Sequence, residues 1–168
     1  METIATEARV DARSKTHAGT FQKILVATDF SDASRAAVDA TVDLASKLGA
    51  SVTVMHAYSL PVYTVSPLDG MFFPAPEDIS RVGAAAQRHL NAELESRASS
   101  GVPLVGVLRY GEVSEEILSC ADTIGADLIV MGTHGHGVIA RALLGSAAQH
   151  VVRTAKQAVM VVPHSHTK

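Results

Sequence analysis

Residues 127–146 have the sequence Asp127-Leu-Ile-Val-Met131-Gly-Thr-His-Gly135-His-Gly-Val-Ile-Ala-Arg-Ala-Leu-Leu-Gly145-Ser146. The apolar run at the start predicts a buried β-strand, and the pattern that begins at Ser146 predicts a helix. Because glycine has no Cβ, Gly132 and the later glycines of the loop allow positive φ and close approach of a ligand to the backbone. Unpaired amides at Gly145 and Ser146, together with the helix dipole, favour an anion. The stretch is therefore typical of a phosphate site.

Strand and helix patterns alternate along the rest of the chain. Strands are predicted at 23–28, 51–57, 103–108, 127–131 and 158–162, and helices from a cap at Ser31 or Asp32 up to Gly49 and over 77–99, 113–124 and 146–154. This alternation implies right-handed βαβ units and a parallel sheet with helices on both faces. The pattern does not give the order of the strands, but ligands of such folds bind where that order reverses.

Length and composition predict a single domain. The chain has 168 residues, of which 47% are hydrophobic, enough for one sizeable core. Residues 1–20 lack periodicity and are expected to form a disordered tail, with a second short tail at 164–168. The net charge of −3 gives no reason to expect nucleic-acid binding, and no apolar run approaches the length of a membrane span. A cytoplasmic protein is therefore expected.

The connection over 58–75 is unusually long for a compact domain. It contains three prolines and the apolar residues 71–73. Such a loop is usually functional or disordered, so a lid, a partner contact and plain flexibility all remain open.

Other interpretations of the glycines and histidines are weaker. A P-loop requires a lysine after the glycines, and none follows them here. Gly135-x-Gly137-x-x-Ala140 matches the loose dinucleotide fingerprint, but no acidic residue exists after Asp127 to bind a ribose. A wide turn without a ligand stays an alternative. The pairs His134-x-His136 and His164-x-His166 lack the further ligands that a closed zinc site needs.

The loop resembles the nucleotide-binding signature of the universal stress protein family, in its ATP-binding branch. Gly132-x-x-Gly135 is followed after nine residues by Gly145-Ser146. Lys23-Ile-Leu-Val-Ala-Thr-Asp29-Phe-Ser is similar to the family's first strand, and Val-Thr-Val-Met-His56-Ala57 to its second. The resemblance covers residues 21–163. It implies a Rossmann-like α/β domain of the adenine nucleotide alpha hydrolase type, with a five-stranded parallel sheet in the order 3-2-1-4-5.

The resemblance also implies a function. We expect an ATP-binding regulatory module that acts as a homodimer in stress response and is not an enzyme, with pairing through the last strand, Ala158–Val162. The ligand would be ATP, or AMP or cAMP, with Mg²⁺ or Mn²⁺ held through the phosphates. A slow ATPase or phosphotransferase, and a nucleotide-free protein-interaction module, are the alternatives.

By the same resemblance, Ala27, Asp29 and Ala57 would line the adenosine end of the site. Asp29 would contact the sugar or a metal-bound water, although it could also cap the next helix. Met131 would contact the base or ribose. The strand order 3-2-1-4-5 would bring Asp29 against Gly132. The backbone around the phosphates would be that of Gly132, Thr133, His134, Gly135, His136, Gly145, Ser146, Ala147 and Ala148.

The sequence departs from the family pattern at three places. Ala27 stands where proline is common, and Ala147-Ala148 replaces a pair such as Val-Thr, which removes one hydroxyl donor. His136 occupies a position often held by arginine or lysine. Since an imidazole has an unperturbed pKa near ~6.5, we hypothesise that phosphate affinity rises below that pH.

Overall fold

The computed structural model of the chain describes residues 21–60, 63–66, 70–72, 75–133 and 144–163. In chain order the strands are β1 (Lys23–Ala27), β2 (Ser51–Tyr58), β3 (Tyr63–Ser66), β4 (Gly70–Phe72), β5 (Leu104–Tyr110), β6 (Leu128–Gly132) and β7 (Ala158–Val162). The helices are α1 (Asp32–Leu48), α2 (Pro76–Glu95), α3 (Val113–Ile124) and α4 (Ser146–Thr154). The expected tails at 1–20 and 164–168 lie outside these residues.

Five parallel strands form the main sheet in the order β5-β2-β1-β6-β7. Strand β1 pairs with β2 on one side and β6 on the other, so that Leu25 lies opposite both Thr53 and Ile129. Numbered along the chain within this sheet, the order is 3-2-1-4-5, which confirms the expected topology. The chain first winds from β1 towards β5 and then returns to β6. The carboxyl ends of β1 and β6 therefore mark the point where the order reverses.

Alternate residues of β1 belong to opposite layers of the domain. Ile24 and Val26 pack in the core formed with α1 and α2, and Leu25 packs in the core formed with α3 and α4. All three side chains are fully buried. Because helices cover both faces, β1 from Ile24 to Ala27 and β6 from Leu128 to Met131 are apolar on both faces, which is why they appear in the sequence as continuous apolar runs.

Helix α1 shows how local sequence sets the limits of an element. The Ser31 side chain accepts a hydrogen bond from the amide of Ser34, and Gly49 ends the helix in the left-handed conformation with φ 66°. The predicted cap and end are both confirmed. The buried face has the predicted spacing and consists of Ser34, Ala37, Val38, Thr41, Val42 and Ala45.

Helix α2 is shorter than predicted. It ends at Glu95 rather than at residue 99, and a separate 3₁₀ turn follows at Ala98–Ser100. Ser96 donates its hydroxyl hydrogen to the carbonyl of Glu93 at 2.8 Å, a local bond that competes with continued helix. Arg97 then leaves helical geometry and donates to Asp39 of α1 at 2.7 Å.

The connection over 58–75 contains structure that the sequence pattern did not predict. Strands β3 and β4 pair antiparallel as a two-stranded sheet of their own. Strand β2 also runs one residue beyond its predicted end, because Tyr58 pairs with Tyr110 of β5 and its carbonyl accepts from the Gly111 amide at 3.0 Å. The functional role of the connection stays an open prediction.

No helix within the described ranges is both long enough and apolar enough to traverse a bilayer.

Candidate functional site

A cleft of about 460 Å³ opens at the carboxyl ends of β1, β2 and β6, where the strand order reverses. Ten residues named from the sequence line it: Ala27, Asp29, Ala57, Met131, Gly132, Thr133, Gly145, Ser146, Ala147 and Ala148. Asp29 and Gly132 therefore share one cavity, although about 100 residues separate them. The other three named residues, His134, Gly135 and His136, lie outside the described residues, as does Arg141.

Asp29 is held by the turn that joins β1 to α1. Its Oδ1 accepts hydrogen bonds from the Ser31 amide at 3.1 Å and from the Ser31 hydroxyl at 2.5 Å. Ser31, rather than Asp29, is the residue that caps α1. The Asp29 amide in turn donates to Ser34 Oγ at 3.3 Å. These bonds orient the carboxylate, so its role in supporting the helix start and its position in the cleft are compatible.

Phe30 adopts a left-handed backbone conformation, with φ 64°. This conformation costs a residue with a Cβ about 1–2 kcal/mol. Two contacts stabilise it: the Phe30 amide donates to Thr28 Oγ1 at 3.1 Å, and the ring lies between those of His56 and His89, at centroid distances of 4.4 and 5.5 Å. His56 donates from Nδ1 to the Thr28 carbonyl at 2.7 Å. Aromatic rings thus pack against the turn, and one of them, His56, also lines the cleft.

Gly132 is needed for close packing rather than for positive φ. A Cβ at this position would lie 3.0 Å from the carbonyl oxygen of Ala33, in the first turn of α1. Its φ is not positive, whereas Gly49, Gly111 and Gly125 are among the glycines whose φ is. Gly132 thus does not use the positive φ that glycine allows, and the absence of a side chain permits the close approach of α1 to the end of β6.

The two ends of the glycine loop are joined by a backbone hydrogen bond. The Gly145 amide donates to the carbonyl of Thr133 at 2.9 Å, and the Thr133 amide donates to the carbonyl of Val162 at 3.2 Å. The Gly145 amide is therefore already paired, contrary to the expectation that it would face an anion.

The open donors at the start of α4 are the next amides. Gly145 is the N-cap and supplies no side-chain acceptor, and the first turn contains no acidic residue. Within the described ranges, no acceptor binds the amides of Ser146, Ala147 or Ala148. A helix start of this kind carries about half a positive charge and binds anions readily.

Helix α3 begins beside the same cleft but is capped by its own carboxylate. Glu112 accepts from the Ser114 hydroxyl at 2.7 Å and from the Glu115 amide at 2.9 Å, both at Oε2. These two bonds lower the pKa of Glu112 below its usual value, and the Ser114 backbone amide and the charge of His150 add smaller contributions in the same direction. A fixed negative charge therefore lies at one helix start of the cleft, while the other remains positive.

Several lining residues were missed by the sequence analysis. They are Thr28, Ser34, Met55, His56, Glu112, Val113 and Ile117. Glu112 and Val113 lie just beyond the end of β5 at Tyr110, so the rule that ligands contact the carboxyl ends of strands would have identified them. The buried hydroxyls of Thr28 and Ser34, 3.1 Å apart, carry no motif and act through the turn that they support.

The chemistry of the cleft is divided between apolar surface and hydrogen-bonding groups. Met55, Ile117 and Met131 provide apolar walls, and the start of α4 provides amide donors. Within the described part of the chain, no group of three or more His, Cys, Asp or Glu side chains could hold a metal ion. Such a cleft suits a ligand with a flat apolar part and an anionic part.

Comparisons with known proteins agree with this architecture. The model of the Universal stress protein family matches residues 20–163. A universal stress protein of Thermus aquaticus, named for its position 3′ of a QAH/OAS sulfhydrylase gene, is 39% identical over 145 residues, which cover 84% of this chain and 98% of the relative. Universal stress protein YxiE of Bacillus subtilis is 32% identical over 146 residues, covering 84% and 99%.

A solved structure, described as a universal stress protein in complex with cAMP, superposes with a TM-score of 0.65 at 27% identity and covers 88% of this chain and 100% of its own. The family match extends over most of the 168 residues, and the fold and the sequence relatives agree with it. The chain belongs to the universal stress protein family.

Proposed function

We propose that the chain binds an adenine nucleotide, with ATP as the first candidate, in the cleft between the ends of β1 and β6, and that it acts as a regulatory module rather than as an enzyme. The observation that carries the proposal is the convergence of the Asp29 turn and the uncapped start of α4 on one cavity. The cavity volume lies within the range of roughly 300–1,000 Å³ that is common for small-molecule sites.

The start of α4 is the proposed phosphate end of the site. Three adjacent amides, at Ser146, Ala147 and Ala148, have no acceptor within the described ranges, and the helix dipole adds to their attraction for an anion. Hydrogen bonds to a charged group contribute about 1.5–3 kcal/mol each. After the cost of ordering the ligand, such bonds support a dissociation constant near the micromolar range, about −8 kcal/mol.

The proposed adenosine end lies towards β1 and β2. Ala27, Ala57 and Met131 would contact the base and sugar through apolar surface, and Asp29 would accept a hydrogen bond from a ribose hydroxyl or a metal-bound water. Mg²⁺ or Mn²⁺ would be held through the phosphates, as is usual for nucleotide-bound Mg²⁺. His134, Gly135 and His136 stay proposed phosphate contacts.

One relative supports the choice of an adenine nucleotide. The solved universal stress protein that is 27% identical to this chain was crystallised with cAMP. The preference for ATP rests on the spacing Gly132-x-x-Gly135 and Gly145-Ser146, which resembles the ATP-binding branch.

A binding role is favoured over catalysis by the composition of the cleft. Phosphoryl transfer relies on cationic groups that stabilise charge on the transferred phosphate. The described residues that line the cleft include neither lysine nor arginine. We therefore propose that any ATP hydrolysis is slow.

We further propose that the protein works in the cytoplasm as a homodimer in stress response. Strand β7 lies at an edge of the sheet, and each of its five residues is partly accessible. An apolar strand at a free edge favours pairing with another strand. A second copy of β7 is the proposed partner.

Thermal unfolding with added nucleotides tests the proposal. A ligand that binds the folded state alone stabilises it by about 2.7 kcal/mol at a hundred times its dissociation constant. We expect the melting temperature to rise with ATP, AMP or cAMP, and to rise less with free ribose. No rise with any of the three would contradict adenylate binding, and phosphate release within seconds of mixing with ATP would contradict the non-enzymatic role.

A further inference from the structure

The cleft has opposite electrostatic character at its two sides. Helix α4 follows β6, and its uncapped start is positive, whereas Glu112 follows β5 and is a carboxylate. Strands β5 and β6 are separated by β2 and β1 in the sheet. With adjacent strands about 4.8 Å apart, the ends of β5 and β6 lie about 14 Å from each other. This separation is large enough for a nucleotide to place different groups at the two sides.

The Glu112 carboxylate is fixed but retains an oxygen for a ligand. Both hydrogen bonds that the described residues donate to it, from Ser114 and Glu115, end on Oε2. Within the described ranges no hydrogen bond of good geometry ends on Oε1, although the backbone amide of Ser114 also lies near enough to the carboxylate to lower its pKa. The neighbouring lining residues Val113 and Ile117 are apolar, so the carboxylate lies at the margin of the surface that suits a base.

An ionised carboxylate accepts hydrogen bonds and cannot donate them. The bonds from Ser114 and Glu115 lower the pKa of Glu112, so the group is ionised at neutral pH. It would repel a phosphate and attract an N–H group. Among the parts of a nucleotide, the exocyclic amino group of the base supplies N–H donors.

Building on the proposed function, we infer that Glu112 is a specificity-determining residue: its Oε1 accepts a hydrogen bond from the amino group of the base, so the cleft favours 6-amino purines over 6-oxo purines. A 6-oxo purine would turn a carbonyl oxygen towards the carboxylate, leaving two acceptors facing each other. Glu112 is exposed, so the expected discrimination comes from the one charge-assisted hydrogen bond that a 6-oxo purine cannot donate, and not from burial of an unpaired carboxylate. The same contact sets the orientation of the nucleotide in the cleft, with the base at Glu112 and the phosphates at the start of α4.

The test compares ATP with ITP, which differ at the 6-position by an amino group and a carbonyl. Dissociation constants are measured by calorimetry for the wild type and for Glu112→Gln. We expect the wild type to prefer ATP by about tenfold, in proportion to one charge-assisted hydrogen bond. Because an amide can both donate and accept, Glu112→Gln should bind ATP and ITP with about equal dissociation constants, and it should bind ITP more tightly than the wild type does.

Glu115→Gln is the matched control, since it removes the same charge from the same helical turn but faces His150, at 3.2 Å, rather than the cleft. It should keep the wild-type preference. Glu112→Asp keeps the charge and a strong helix cap with a shorter reach. It should also lose the preference. Because this variant keeps the helix cap, such a loss could not be attributed to a disturbed start of α3.

Each outcome distinguishes the two proposals. If ATP and ITP bind the wild type equally, or if Glu112→Gln weakens both by the same factor, Glu112 does not recognise the base and the inference is wrong while nucleotide binding stands. If the folded wild type binds neither, the proposed function is itself wrong and the inference fails with it.

Discussion

Ser146→Pro removes one backbone donor from the proposed phosphate site without disturbing the helix that carries it. Ser146 is the first residue of α4, a position at which proline is favoured because the missing N–H has no intrahelical partner. Gly145 has φ −58° and ψ 155°, an extended conformation that suits a residue before proline. The stability should therefore be unchanged, or raised by about 0.4–1 kcal/mol through a less flexible unfolded chain.

The expected loss of affinity follows from a single hydrogen bond. An N–H bond to a charged phosphate contributes about 1.5–3 kcal/mol, and each 1.4 kcal/mol changes the dissociation constant tenfold. Ser146→Pro should thus weaken ATP binding by about 10- to 150-fold in calorimetry. Ser146→Ala keeps the amide and loses the hydroxyl, so it should bind within a few-fold of the wild type.

The two variants distinguish the contribution of the Ser146 amide to ATP affinity from that of the Ser146 side chain. If Ser146→Pro melts at the wild-type temperature and binds ATP with the wild-type constant, the phosphates do not lie against this helix start, and the reasoning fails at its main step. If Ser146→Ala loses as much affinity as Ser146→Pro, the hydroxyl rather than the amide is the contact.

Three further predictions concern packing, pH and assembly. Gly132→Ala should lower the free energy of unfolding by about 1–3 kcal/mol in chemical denaturation, because its Cβ would meet the backbone of Ala33 at 3.0 Å; wild-type stability would show that α1 can shift freely. The pKa of Glu112 is lowered in the folded protein, so its ionised form stabilises the fold fully above the ordinary value of 4.5, and this stabilisation is lost as the pH falls through the folded value. The loss of stability at acid pH should therefore be less steep in Glu112→Gln than in the wild type. An unchanged stability–pH curve would contradict this. Val161→Lys should give monomers in light scattering. Val161 is the better position to change because it packs in neither core, whereas Val159 packs against the core with α3 and α4. A persisting dimer would exclude pairing through β7.

Much of the fold could be predicted from the sequence because its signals are local. Val113–Ile124, Ser146–Thr154 and Ala158–Val162 have the predicted bounds, since apolar periodicity, caps and glycine ends lie within each segment. The strand order is different, because it depends on contacts between distant segments, and it came from the family resemblance. The β3–β4 hairpin was missed because prolines and a mixed composition concealed two short strands.

The site was predicted less completely than the fold. Asp29 and Gly132 carry recognisable local patterns, and the structure brings both to the cleft. Glu112 carries no pattern of its own, since its place in the cleft depends on where β5 ends relative to β1. Glu93 of α2 carries no pattern either: it is buried although it is charged, because Arg97, 3.2 Å away, and Arg35, 3.8 Å away, supply opposite charges.

The distribution of acidic groups explains why the anion should bind at α4. In a parallel α/β domain the helices begin at the carboxyl edge of the sheet, so their positive ends gather there. Of the four helices in the described residues, α1 is capped by Ser31 and preceded by Asp29, α2 has acidic residues in its first turn, and α3 is capped by Glu112. Helix α4 has neither a capping side chain nor an acid. No Asp or Glu follows residue 127 in the whole chain, so the last crossover cannot supply its own counter-charge, and a bound anion is the group that would complete it.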